Sequence, residues 1–146
     1  IEPNTVVKFG LGFLFLAGGF WIFYYTKFFA DTTGKTSLNL FTFGWFIITF
    51  GELCLSPIGL SAMSRLSPQK TQAVMMGIWY LASSYGQYFA GLLGANIASA
   101  SENATNSEKL NVYADGYQQL AIYALLAGVI LIVISPLVKK LMQEVK

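Results

Sequence analysis

One carboxylate lies inside the long apolar segments of this chain. It is Glu52, within Gly51-Glu-Leu-Cys-Leu-Ser-Pro57-Ile-Gly59-Leu-Ser61. A charge in hydrocarbon is costly unless it has a partner, and intramembrane acids usually face a partner charge or a water-filled path. The chemistry open to such a group is to hold a cation or exchange a proton. Ser56, four residues on, shares its helix face. Pro57 has no N–H, so the carbonyl of Leu53 loses its helical partner, and with Gly59 following, a kink or flexible point is expected one turn beyond the acid. An ordinary proline kink with Glu52 bonded to a neighbouring helix would also produce this pattern.

A second row of side chains follows at helical spacing. Trp79, Ser83 and Gln87 recur every four residues, and about 60° around the helix Ala82, Gly86, Ala90, Gly94 and Ala98 form a row of small residues. Small residues at this spacing allow close approach of another helix. The polar and aromatic row beside them serves either to line a ligand path or to bond across helices, and the residue types leave both open.

Other chemistries find little support. There is no histidine among the 146 residues, and no lysine lies near the middle of an apolar run. Intramembrane hydrolysis would need a second carboxylate, an activated serine or metal ligands, so no enzyme, metal site or cofactor is expected. Cys54 is the single cysteine. Net charge is +2 and the basic residues are scattered, so no nucleic-acid partner is expected.

The elements that must position Glu52 are helices in a bilayer. The chain is 55% hydrophobic and only 11% charged, less than half the charge of an ordinary soluble domain. A hydrocarbon core of ~30 Å takes ~20 helical residues, which predicts an all-α polytopic membrane protein with spans over about 6–28, 38–61, 69–98 and 117–138. Glu52 then lies ~18 Å along its helix from Leu40, near the midplane. Gly10, Gly12, Gly18 and Gly19 are read as close-packing positions, and Trp21, Tyr24 and Tyr25 as an interfacial belt. Ala62–Lys70 is expected to be a short loop, with Ser67 capping the third helix and Pro68 at its first position. A polar loop is expected over 101–115, with a glycosylation pattern at Asn103-Ala-Thr105, and Ser135-Pro136 is expected to break the last span. Four spans put both termini on the side of Lys8, Arg65, Lys70, Lys139, Lys140 and Lys146, which the positive-inside rule makes cytoplasmic.

Two stretches carry a family resemblance. GELCLSPIGLS, followed after a basic loop by MMGIWYLASSYGQYFAG, closely resembles the tenth and eleventh helices of proton-dependent oligopeptide transporters, a branch of the major facilitator superfamily. The likeness is specific at Gly51, Glu52, Leu53, Ser56, Pro57 and Gly59, and again at Met76, Gly77, Trp79 and Gly91. It implies that the four spans are helices nine to twelve of a longer transporter whose N-terminal bundle is absent from this chain. The remaining partners it implies are the bilayer, di- and tripeptides, and protons, in a bacterial inner membrane.

The resemblance also assigns roles. Glu52 resembles the acid that receives the peptide's amino terminus and exchanges salt-bridge contacts with a lysine of the missing bundle. Trp79 matches a residue lining the peptide site, and Ser83 a lining position one turn on. Pro57 and Gly59 would form a gate or hinge. Burial raises the pKa of such an acid while a nearby cation lowers it, so one group answers to both proton and substrate. The chain alone is expected neither to bind peptide tightly nor to transport. The competing readings are a transporter of another small solute such as nitrate, and a non-transporting membrane scaffold held by the small-residue row.

Overall fold

The computed structural model describes residues 4–97 and 104–141. Its regular structure is entirely helical: α1 (Thr5–Tyr25), prolonged by a 3-10 turn over Thr26–Phe29, then α2 (Leu38–Leu66), α3 (Gln72–Ile97) and α4 (Asn106–Leu141). Among the described residues, three segments are long and apolar enough to cross a bilayer, namely Thr5–Phe29, Leu38–Leu66 and Asn106–Lys140. The 26 residues of α3 suffice in length at ~1.5 Å each, but Ser83, Ser84 and Gln87 hold down its hydropathy. The chain is thus an all-α, polytopic membrane protein.

α1 is the centre of the bundle, antiparallel to both α2 and α4. Its glycines explain why these helices approach so closely. A Cβ on Gly12 would lie 3.2 Å from the carbonyl oxygen of Gly51, and one on Gly19 3.1 Å from that of Gly44. The two crossings are seven residues apart on each helix, the repeat of shallow left-handed packing. On the opposite side of α1, a Cβ on Gly10 would lie 3.1 Å from the carbonyl oxygen of Gly128. Lipid tails are as apolar as leucine, so helix association here rests on such close contact rather than on escape from water.

Beyond the glycines, the end of the bundle distant from the N-terminus is filled by aromatic rings. Phe23 stacks on Phe41 at 5.0 Å and meets Tyr117 at 5.0 Å and Trp45 at 5.9 Å. Lys27 joins α1 to α4 through a 2.9 Å ion pair with Asp115, its ammonium also 4.1 Å from the Tyr24 ring centroid. At the opposite end Asn4 caps α1 by accepting from the Val6 N–H, and its amide donates to Ser135 of α4 at 3.4 Å.

The α1–α2 turn is organised by Asp31. Its carboxylate accepts from the Thr33 hydroxyl at 2.7 Å and from the backbone N–H groups of Thr33 and Lys35 at 2.9 and 3.0 Å. Gly34 has φ +75° and abuts the start of α4, where a Cβ would meet the Ser107 nitrogen at 2.9 Å; a side chain is excluded by both conformation and space. The Thr33 hydroxyl first, then the two N–H groups, hold the Asp31 carboxyl below its ordinary value. A depressed pKa stabilises the folded turn above the unfolded-state value and loses that contribution as pH falls through the folded one. Amide exchange at Thr33 and Lys35 should therefore stay slow through the pH range where a free aspartate protonates, then accelerate on further acidification. Asp31→Asn should remove this pH dependence.

Several boundaries differ from the sequence-based expectation. α2 does not stop at Ser61 but runs to Leu66, so Ala62–Leu66 is helix and only residues 67–71 connect to α3. Serines and Arg65 mark where apolar sequence ends, which is not where backbone bonding must end. Ser67 caps the end of α2, its hydroxyl bonded to the Met63 carbonyl, and does not start α3; Pro68 lies in the turn. α4 begins at Asn106 rather than 117, because Thr105 and Glu108 form a reciprocal capping box in which the Thr105 N–H donates to the carboxylate at 2.7 Å and the Glu108 N–H to the hydroxyl at 3.4 Å. α4 also passes through Pro136 to Leu141 without a break. Ala98, Asn103 and Lys146 lie outside the described residues.

Candidate functional site

Glu52 is the middle residue of α2, fourteen from each end. Gly44, Ile48, Gly51 and Gly59 are the buried positions of that helix, and one residue beyond Gly51 the chain has turned by about 100°. That rotation carries Glu52 out of the seam with α1. It is exposed, with no hydrogen bond or ion pair to the described residues. Ser56 and Pro57 are exposed as well or nearly so, and the helix continues through the proline.

α3 returns along α2 and is fastened to it near their junction. The Gln72 side-chain amide donates to the Ser64 hydroxyl at 2.5 Å. Two turns further on, the Trp79 indole packs directly against Gly59 and meets the edge of Phe9 of α1 at a centroid distance of 6.4 Å. From Leu81 to Ala95 every residue is exposed, and a Cβ placed on Gly86, Gly91 or Gly94 would meet no described atom of a neighbouring element within 4 Å. The pairs Gln72–Ser64 and Trp79–Gly59 set the antiparallel register. Continued at that register, Ser83 and Gln87 come level with the turns around Glu52, across a flank where the helices have separated.

Of the residues singled out from sequence, the fold thus brings Trp79 and Gly59 into contact, and leaves Glu52, Ser56 and Ser83 on open surface. The Ser83 hydroxyl donates to the Trp79 carbonyl at 3.0 Å, which leaves its oxygen free to accept. In the small-residue row, Ala82 and Ala90 are exposed, and a Cβ on Gly86 or Gly94 would meet no described neighbour. Among the described residues, no three His, Cys, Asp or Glu side chains stand together as metal ligands.

Sequence reasoning missed what Gly59 does. Its missing side chain makes room for an indole, so it positions α3 on α2 and α1 independently of any flexibility it confers. Phe9, the third member, had no signal beyond its apolarity. Gly59→Ala is expected to push the indole from its seat. In a Trp21→Phe, Trp45→Phe background, Trp79 emission should become more accessible to a membrane-embedded quencher; unchanged quenching would sink this reading.

Comparison with known proteins gives a consistent result. Residues 1–114 match the POT family. The chain is 29% identical over 146 residues to the peptide transporter YePEPT of Yersinia enterocolitica, and 30% identical over 150 residues to the di-/tripeptide transporter of Lactococcus lactis subsp. cremoris. Each alignment covers 99% of this chain and 27% of the relative. Among solved structures, a bacterial homologue of human drug peptide transporters superposes with a TM-score of 0.78 at 32% identity, over 92% of this chain and 28% of that one. A second, from work on substrate recognition in proton dependent oligopeptide transporters, gives 0.78 at 31% identity over 96% and 29%. The chain therefore spans little more than a quarter of the length of these relatives.

Proposed function

The chain belongs to the POT family, and from that premise we propose that it is part of a proton-coupled symporter of di- and tripeptides working by alternating access, with Glu52 receiving the peptide's amino terminus. The observation that carries this reading is the placement of Glu52. It is a carboxylate at the centre of a 29-residue apolar helix, unpaired among the described residues and turned away from the α1 seam. Nothing in the packing of α1, α2 and α4 uses it.

A peptide ammonium brought to such a carboxylate in low dielectric is attracted far more strongly than in water. With the ammonium gone, a lysine of another bundle or a proton would take its place as partner. Trp79 and Ser83 follow on the facing helix and would line the peptide beside Glu52. Pro57 and Gly59 stand between Glu52 and the α2–α3 junction, where a small change in bend moves the half of α2 that Trp79 grips. In this reading the four helices correspond to nine to twelve of the transporter, and an N-terminal bundle closes over the Glu52 flank. The end bearing Lys8, Arg65, Lys70, Lys139 and Lys140 faces the cytoplasm of a bacterial inner membrane.

A carboxylate suits a cationic amino group better than a bare anion such as nitrate, which favours peptides over the alternative solute. The test is uptake of labelled di- and tripeptides by proteoliposomes holding the full-length transporter, with and without an inward proton gradient. Uptake driven by the gradient is expected. No peptide uptake under any gradient would overturn the substrate class.

A further inference from the structure

We infer that Phe9 of α1 is a positioning residue for the proposed peptide site, acting through the Trp79 indole to set the spacing of α3 from Glu52. The inference rests on the reading that Trp79 and Ser83 line the peptide beside Glu52. A continuous set of contacts joins the two sides of that flank. Glu52 follows Gly51, where α2 presses on α1 so closely that a Cβ on Gly51 would lie 2.9 Å from the carbonyl oxygen of Gly12. Phe9 precedes Gly12 by three residues, ~4.5 Å along α1. Its other neighbour in the seam is Gly10, where a Cβ would lie 3.1 Å from the carbonyl oxygen of Gly128 of α4. The backbone beside Phe9 is thus held in close packing with two further helices.

From this fixed point the Phe9 ring meets Trp79 edge to face, with centroids 6.4 Å apart and planes at 78°, an arrangement that aromatic quadrupoles favour. The benzo edge of the indole sits over Gly59, seven residues or ~10 Å along α2 from Glu52. One turn beyond, the Ser83 hydroxyl bonds back to the Trp79 carbonyl. Phe9, Gly59 and Trp79 share the wall of an apolar groove of about 260 Å³, which Met63 of α2 and Leu131 of α4 also line. That space is open to the indole once the Phe9 ring is removed. From Leu81 to Ala95 α3 is exposed, so packing further along this helix does little to absorb a change at Trp79. A site that is correctly spaced only part of the time binds its ligand more weakly by that fraction.

The experiment is uptake of labelled dialanine by proteoliposomes holding the full-length transporter, with KM and maximal rate measured separately for wild type and Phe9→Ala. KM should rise roughly fivefold while the maximal rate stays within about twofold. In a Trp79→Leu background the same substitution should leave KM nearly unchanged, because Phe9 then has no indole to hold. If Phe9→Ala does not fold, Phe9→Leu keeps apolar bulk without a ring edge and should raise KM roughly threefold. In protein carrying fluorotryptophan, the fluorine resonance assigned to Trp79 by its loss in Trp79→Phe should shift in the Phe9 variant. Unchanged KM in a folded variant, an equal rise in KM in the Trp79→Leu background, or a fall in maximal rate alone would each overturn this inference and leave the peptide cargo standing. A wild type that takes up no peptide would overturn both.

Discussion

Glu52→Gln in the full-length transporter is expected to abolish gradient-driven peptide uptake while leaving the protein folded and inserted. Gln keeps the shape and one acceptor but removes the charge. Removing one member of a desolvated charge pair costs about 2–5 kcal/mol, so transport efficiency should fall by roughly 30- to 4,000-fold. Folding should be spared because Glu52 is exposed in this chain and outside the α1–α2 contact. The proposed role has a sharper signature in the substrate. An N-acetylated dipeptide lacks the ammonium, so it should be a poor substrate of wild type and lose little more in the variant. Two changes that remove the same interaction do not add. Additive losses would place Glu52 elsewhere in the cycle, and unimpaired uptake of free dipeptide by the variant would remove it from the site.

The second large effect concerns the packing that holds the site in place. Gly18 and Gly19 are neighbours, yet the same substitution should separate them. A Cβ at Gly18 meets only the Ile47 side chain at 3.8 Å, an ordinary contact. At Gly19 it would overlap the Ile48 side chain, which must shift, and press on the Gly44 carbonyl at 3.1 Å, which must give slightly as well. Overpacking a close contact costs about 1–3 kcal/mol, whereas a change that forces no rearrangement usually stays within about 0.5 kcal/mol. Thermal unfolding in detergent should therefore show Gly19→Ala clearly destabilised and Gly18→Ala close to wild type. Equal effects would mean that α1 and α2 do not cross at this point.

These two predictions also divide what can be read from residues in order from what needs the fold. The membrane class, the four helices and the place of Glu52 well inside the second of them were all legible in the sequence. They depend on local composition, and a long apolar run has few structures available to it in a bilayer. The family resemblance was legible for a similar reason, since the GELCLSPIGLS stretch is compact and nearly contiguous. The Thr105–Glu108 box, which moves the start of α4 to Asn106, was also present as a spacing and passed unread; polarity near a span end is not evidence of loop.

Tertiary structure decided which glycines meet. The sequence marked Gly10, Gly12, Gly18 and Gly19 alike. Only the rotation of α1 between two antiparallel neighbours sends Gly12 and Gly19 to α2, Gly10 to α4, and leaves Gly18 nearly uncrowded. Periodicity gives a side chain's bearing on its own helix and says nothing of which helix lies there. For the same reason Gly59 could be read as a flexible point but not as the seat of Trp79, a contact twenty residues away across a turn. The exposure of Glu52 is also a tertiary fact. Its cost in hydrocarbon was evident from composition, whereas its release from the α1 seam follows from Gly51, one residue earlier, taking the inward bearing.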